Sequence, residues 1–266
     1  MNEQAINNYE RNGYAIFKSV FATTEINNAL ESLLFCFNSQ LEYLELQKMP
    51  SLYDAMKKLH SEDVRRFKDI SSNLWRNIDI YNMLHHIKIQ EILKFEFGYQ
   101  KISVAGGQVV HFQSKELTIP GGYFGLPAHQ DFPSVNGSLD GVIVWIPFLE
   151  NTNNEFPLQL IPGSHKNGVY ATIDSGNKPW EIRPELYLDN EFVSINCELG
   201  DVVVMSTFTV HRSGQEGGDG LKLACSSRFD NLGDPSFVQN SLPSAYLRSV
   251  DREQFKKNPI VSMYKG

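Results

Sequence analysis

His129-Gln130-Asp131 is the segment of this sequence with the plainest capacity for chemistry. On an extended strand, residues two apart point the same way, so the imidazole of His129 and the carboxylate of Asp131 can reach one metal ion. His211, far downstream, follows the apolar run Asp201-Val202-Val203-Val204-Met205 and offers a third ligand. Two imidazoles and one carboxylate on a single face of an octahedral ion leave three positions open, the facial arrangement of non-haem iron(II) oxygenases. An HxD pair alone is weak evidence, because such pairs arise by chance. Zinc hydrolases also use two histidines and a carboxylate, although no HExxH segment occurs here.

The remaining residues set the background against which that triad is read. His60, His85 and His86 fall in helical sequence and read as surface or interhelix residues, and His165 belongs to a turn. His111 lies on an expected strand, where core packing and pocket lining fit equally well. Trp145 reads as core or pocket wall, and Phe124 and Phe132 as core or as a cover for the metal. The net charge of −7 disfavours a phosphate-backbone binder. The densest basic group, Lys57, Lys58, Arg65, Arg66 and Lys68, reads as a solvated helix face. Cys36, Cys197 and Cys225 are odd in number and far apart, with no CxxC pair. They make a poor disulfide framework and a poor zinc site, which points to a reducing compartment. No apolar stretch approaches the roughly 18–20 residues that span a bilayer. The opening Met1-Asn2-Glu3-Gln4 is polar rather than signal-like. The expected location is the cytoplasm. The expected partner is a small-molecule substrate, with neither nucleic acid nor membrane involved; the oligomeric state is not legible.

The elements that must position these residues change character near residue 100. Before it, helical periodicity dominates: Ile26, Leu30, Leu33, Leu34 and Phe37 share one face of a segment over 24–37, with Thr24 as the expected N-cap. A second helical stretch is expected over 71–97, and Gly13–Phe17 reads as a short strand. After residue 100 come short β-rich runs, at 104–112, 141–148, 158–161, 192–195, 201–205 and 221–229, separated by Gly, Pro, Asn and Asp. Such spacing predicts a mainly β, α+β chain: a double-sheet sandwich or jelly roll with helices packed on one face or end of the sheets. The expected organisation is one domain over 1–266, helix-rich through residue 100, with a β core over 101–240 and an extension over 241–266.

The surrounding sequence resembles the phytanoyl-CoA dioxygenase family of iron(II)/2-oxoglutarate oxygenases. The resemblance is carried by Pro127-Ala128-His129-Gln130-Asp131, Val144-Trp145-Ile146-Pro147-Phe148, and Pro157 to Gly168 with its Pro162-Gly163-Ser164-His165-Lys166 turn. It continues in Gly200-Asp201-Val202-Val203-Val204 and His211-Arg212-Ser213-Gly214-Gln215, and the opening Asn12-Gly13-Tyr14-Ala15-Ile16 is similar too.

The resemblance implies a double-stranded β-helix with the triad at one mouth. It implies Fe(II) as metal, with 2-oxoglutarate and O2 as cosubstrates. The reaction it implies is hydroxylation of a substrate C–H bond with release of succinate and CO2. In the family, the far carboxylate of 2-oxoglutarate meets a hydroxyl, at Ser213 here, and a basic residue about eleven positions after the second histidine. That position holds Lys222, where the family generally has arginine. Lysine offers a point charge rather than a bidentate fork. Arg228, on the same strand face as Lys222, Ala224 and Ser226, is the alternative anchor, unless it forms a structural ion pair with Asp230 or Asp234. Gln108, Gln113 and Lys115 precede the HxD on the strand that lines the pocket in relatives, and Gln113 is an expected cosubstrate or substrate contact. Relatives that halogenate carry a small residue at the carboxylate position, so Asp131 points to hydroxylation. A cupin-like binding or isomerase protein, and a non-catalytic relic of the site, remain as alternatives.

Overall fold

The computed structural model describes residues 2–119, 125–149, 156–173 and 180–239, together with the backbone of Met263 and Tyr264. Phe124 and most of the expected C-terminal extension lie outside the described residues.

The first part of the chain is a helical layer. Helix α1 (Glu3–Asn12) ends at Gly13, whose φ of 84° lets its N–H close on the Tyr9 carbonyl before strand β1 (Tyr14–Phe17) begins. Helix α2 (Thr23–Tyr43) buries Ile26, Ala29, Leu33, Phe37 and Leu41, a stripe at helical spacing. Its N-cap is Ala22 rather than Thr24, and the Glu25 side chain accepts the Ala22 N–H at 2.8 Å. Helices α3 (Leu52–Glu62) and α4 (Val64–Ser71) are capped by Ser51 and Asp63, each accepting a backbone N–H three residues on.

The single helical stretch expected over 71–97 is instead divided. It comprises a 3₁₀ turn at Leu74–Arg76, α5 (Ile78–Leu84), α6 (Ile87–Glu91) and a wider π-type turn over Ile92–Glu96. Asn77 and His86 accept the N–H two residues ahead, and so start new helices inside a segment whose periodicity is nearly continuous.

The rest is built on antiparallel strands: β2 (Ile102–Val104), β3 (Val109–Gln113), a short helix α7 (Phe132–Val135), β4 (Val142–Pro147), β5 (Leu158–Leu160) and β6 (Val169–Tyr170). These are followed by β7 (Val193–Ser194), β8 (Val202–Ser206), β9 (His211–Ser213), β10 (Lys222–Asn231), α8 (Pro235–Gln239) and β11 (Met263–Tyr264). The larger sheet runs β1-β8-β4-β10-β2, with β3 also pairing β10; the smaller runs β7-β5-β9. The backbone of β11 pairs in parallel with β6. The strand expected over 104–112 is two strands, because the Gly106-Gly107 segment bulges between them. Val104 pairs Phe229, whereas Val109 pairs Ser226, so four residues stand opposite two.

Period-two alternation decides which side chain goes where. Val142, Val144 and Ile146 of β4, Val202 and Val204 of β8, and Leu223, Cys225 and Phe229 of β10 join the core beneath the helices. Their neighbours Ile143, Trp145, Val203, Met205 and Ala224 turn the other way and meet Leu158 and Leu160 of the smaller sheet. The larger sheet is thus covered on both faces, which is why β4, β8 and β10 are buried at every position. Two sheets facing each other, with helices behind one of them, form the expected double-stranded β-helix. The candidate site opens between the sheets. No helix among the described residues is long and apolar enough to cross a membrane.

Candidate metal centre

His129 and His211 are brought together by the backbone. His129 N–H donates to the His211 carbonyl and His211 N–H to the His129 carbonyl, both at 3.0 Å. Only this one bridge is strand-like. Immediately after it the chain turns, and Asp131 is the N-cap residue of α7, with φ −81° and ψ −26°. The HxD is therefore not an extended segment throughout. Asp131 and Phe132 both donate their N–H to the Thr207 carbonyl, and that pins the turn. The ligand atoms of His129, Asp131 and His211 all lie within 4.8 Å of one another, and all three residues are buried.

The sequence around the ligands serves this placement. Gln130 donates through Nε2 to the Gly168 and Phe208 carbonyls and accepts the Tyr170 N–H, tying the loop to β6. The Pro162–Lys166 turn is structural. Ser164 Oγ donates to the Ile161 carbonyl and accepts the Val210 N–H, which sets the chain one residue before His211. His165 packs against Gly13, where an added Cβ would stand 2.6 Å from its Nδ1.

Protonation follows from the partners. His129 Nδ1 lies 2.8 Å from the Pro127 carbonyl, and His211 Nδ1 lies 2.9 Å from the Thr209 carbonyl. A carbonyl only accepts, so each Nδ1 carries a proton and Nε2 is the nitrogen left to ligate. Burial, reinforced by His129, lowers the His211 pKa to about 3, so its imidazole is neutral at pH 7. Burial works against the Asp131 carboxylate. The Arg228 guanidinium, its Nε 2.7 Å from Oδ2, outweighs that together with the two histidines and holds the pKa well below the usual carboxylate range. His129 Nε2 and Asp131 Oδ1 face each other at 3.4 Å. Two imidazole nitrogens and a carboxylate oxygen converging at this distance form a donor set that fits a divalent metal.

A cavity adjoins these atoms, and His111, Trp145, Ser213, Lys222 and Arg228 are among its walls. Lys222 is 9% exposed, and its ammonium makes neither an ion pair nor a hydrogen bond among the described residues. Burial lowers its pKa to about 8. His111 Nε2 meets Ser226 Oγ at 2.8 Å, and burial, with the charges of Arg228 and Lys222, holds its pKa well below the ordinary value.

Gln113 stands opposite Lys222 in the register and donates to the Gly214 carbonyl, and its buried Oε1 has no hydrogen-bond partner. Phe132 stacks on Phe208 at 4.1 Å in a separate cluster with Val169, so it packs beneath α7 rather than over the metal. Gln108 lies 3.3 Å from His85, and Lys115 sits exposed in a 3₁₀ turn. Arg228 pairs with Asp131; Asp230 and Asp234 accept from Ser138 and Ser236 instead. Sequence reasoning missed Trp180, which meets His129 edge-on with ring centroids 5.2 Å apart. It also missed Arg212, which lines the cavity, stacks on Phe192 and pairs with Asp189 at 2.6 Å. A tryptophan in otherwise polar sequence was the available signal for the first; the second had none.

The family model described as phytanoyl-CoA dioxygenase (PhyH) matches residues 9–223. The chain belongs to the phytanoyl-CoA dioxygenase family. As a phytanoyl-CoA dioxygenase family member it is a non-haem iron, 2-oxoglutarate-dependent oxygenase, with iron as cofactor and 2-oxoglutarate and O2 as cosubstrates. Among solved structures it is similar to SnoK, the non-heme alpha ketoglutarate dependent carbocyclase from nogalamycin biosynthesis. That match has 14% identity and a TM-score of 0.57, with 93% of each chain covered. It is similar to the epimerase SnoN in complex with Fe3+, alpha ketoglutarate and nogalamycin RO, at 15% identity and TM-score 0.54 over 86% of this chain and 83% of that one. It is similar also to EctD from S. alaskensis with 2-oxoglutarate and 5-hydroxyectoine, at 12% identity and TM-score 0.52 over 88% of this chain and 77% of that one. At these identities the likeness is one of fold. No curated protein matches the sequence.

Proposed function

We propose that this chain hydroxylates a C–H bond of a small molecule or biosynthetic intermediate, with His129, Asp131 and His211 holding Fe(II) and Lys222 receiving the far carboxylate of 2-oxoglutarate. The observation that carries the reading is a pairing within one cavity: three converging ligand groups, and a buried ammonium with no acidic partner among the described residues. An uncompensated buried cation is costly, and an anionic ligand relieves that cost. Ser213, beside it in the wall, offers the hydroxyl. Iron bound there would supply dioxygen activation coupled to decarboxylation of 2-oxoglutarate, giving succinate, CO2 and one oxygen atom for the substrate. The protein's own part is to orient both imidazoles through their Nδ1–carbonyl contacts, fix Asp131, and enclose the site between apolar walls such as Leu158 and Met205. Asp131 occupies the position a halide would need, which favours hydroxylation.

The reading takes the chain as one oxygenase domain, since the helices and the larger sheet share a continuous core. It places the enzyme in a reducing compartment such as the cytoplasm, since all three cysteines are free. The test is succinate release from anaerobically prepared protein given Fe(II), 2-oxoglutarate and a metabolite panel, followed by air. Iron- and oxygen-dependent succinate, with label from dioxygen in the product, is the expected result. Turnover with an isomerised or dehydrogenated product would overturn hydroxylation alone. No iron-dependent turnover, coupled or uncoupled, would overturn the whole reading.

A further inference from the structure

We infer that Arg228 is a positioning residue for the metal: it ties up one oxygen of Asp131, so that the carboxylate ligates through the other oxygen only. The inference rests on the reading of His129, Asp131 and His211 as the metal ligands. Arg228 Nε–H donates to Asp131 Oδ2 at 2.7 Å, while Oδ1 is the oxygen turned toward His129 Nε2, at 3.4 Å. A carboxylate with one oxygen held by a guanidinium offers a metal only the other. Freed of that bond, the group can rotate and chelate with both oxygens, which consumes a coordination position that the cosubstrate or dioxygen needs.

The guanidinium is itself braced. Its Nη1 donates to Ser226 Oγ at 3.1 Å, and that hydroxyl also meets His111 Nε2 at 2.8 Å, so the support runs from β10 across to β3. Asp131 and Arg228 are both buried, so the pair is shielded from water and the hydrogen bond between them is held in place by the surrounding packing. Arg228 and Lys222 stand six residues apart on β10, roughly 20 Å of strand. They serve different parts of the cavity, one at the ligand carboxylate and one toward the cosubstrate. Arg228 acts through Asp131 and is not a second cosubstrate anchor.

Anaerobic titration of the metal-free full-length protein with Co(II) tests this, with the d–d absorption of the bound ion read alongside its affinity. For R228Q we expect affinity to fall roughly 10- to 100-fold and the Co(II) spectrum to change with the altered ligation. R228K, which keeps the charge but not the fork, is expected to recover part of both. S226A, which removes only the brace, is expected to show a smaller shift in the same direction. An R228Q protein with wild-type Co(II) affinity and spectrum overturns the inference. In that case, a loss confined to thermal stability makes Arg228 a core ion pair, and a loss confined to 2-oxoglutarate binding makes it a cosubstrate anchor. Should R228Q fail to fold, unchanged affinity and spectrum in both R228K and S226A overturn it equally. Failure of the wild-type protein to take up Co(II) would sink the metal-site reading first, and this inference with it.

Discussion

His129 and His211 share two backbone hydrogen bonds of 3.0 Å, and their imidazole rings lie 4.1 Å apart between centroids. A directly opposed pair of this kind sends both side chains to the same face. The convergence of the two imidazoles is therefore set by main-chain pairing.

The first expectation concerns that preformed pair. Saturating Co(II) or Mn(II) at about 100 times its Kd should stabilise the wild-type protein by about 2.7 kcal/mol. In a chain of this size that is a rise of roughly 5–10 °C in Tm. His211→Ala should abolish the metal-dependent rise while leaving the metal-free Tm close to wild type, since His211 keeps its main-chain bonds. A metal-induced rise persisting in His211→Ala would show the ion binding elsewhere.

Lys222→Ala should weaken 2-oxoglutarate binding to the metal-loaded protein. A hydrogen bond to a charged group contributes about 1.5–3 kcal/mol, which corresponds to roughly 10- to 100-fold in Kd. Lys222→Arg should hold the cosubstrate far better than the alanine variant, because it restores the charge. Calorimetric titration separates the two, and equal Kd values for wild type and Lys222→Ala would remove this residue from the site.

A pH dependence follows from the same ammonium. Burial lowers its pKa to about 8, so the charge that attracts the carboxylate fades as pH rises through that value. The apparent Kd for 2-oxoglutarate should rise by up to roughly tenfold per pH unit above it, until it reaches the Lys222→Ala value. Lys222→Arg should be flat over the same range. The stability effect has the opposite sign. Between about 8 and the ordinary lysine value of 10.5 the unfolded chain holds the proton and the folded chain does not. The ligand-free protein therefore gains stability from this group as pH rises across that window. Denaturant midpoints at pH 7.5 and 9.5, for wild type against Lys222→Ala, measure it.

Phe67 is the point where the helical layer meets the larger sheet. It is fully buried, with Phe37, His60 and Phe112 at ring-centroid distances of 6.0, 5.1 and 5.7 Å. Phe67→Ala should cost about 3–5 kcal/mol, seen as a lowered Tm. The increment on adding metal should be retained, because the triad lies on the far side of the sheet. Loss of that increment would mean that helix packing and site geometry are coupled.

What could be read from the residues alone divides along physical lines. The HxD pair, the strand runs and the helix stripe of α2 are legible because each depends on local spacing, with alternation along β4 and β8 and a 3–4 period from Ile26 to Leu41, whereas His211, 80 residues after Asp131, is legible only through the resemblance around it. The division of 71–97 was not legible, because the apolar period continues through Asn77 and His86 while their side chains cap new helices. Asp131 was placed on a strand because HxD suits one; the Phe132-Pro133 sequence after it, with proline in the first turn of α7, was the signal for the bend. The role of Arg228 could not be read locally, since its partner is 97 residues away and the nearby Asp230 and Asp234 were equally plausible acids.

Strand β10 carries Lys222, Ala224, Ser226 and Arg228 on one face and Leu223, Cys225, Ser227 and Phe229 on the other, with β2, β3 and β4 all aligned on it. A slip of one residue would drive a lysine and an arginine into the layer beneath the helices and empty the cavity of positive charge. The alignment that lets the chain reach its native state is thus the same one that makes it competent for chemistry. A chain folded in the wrong register would be inactive, and also too unstable to accumulate.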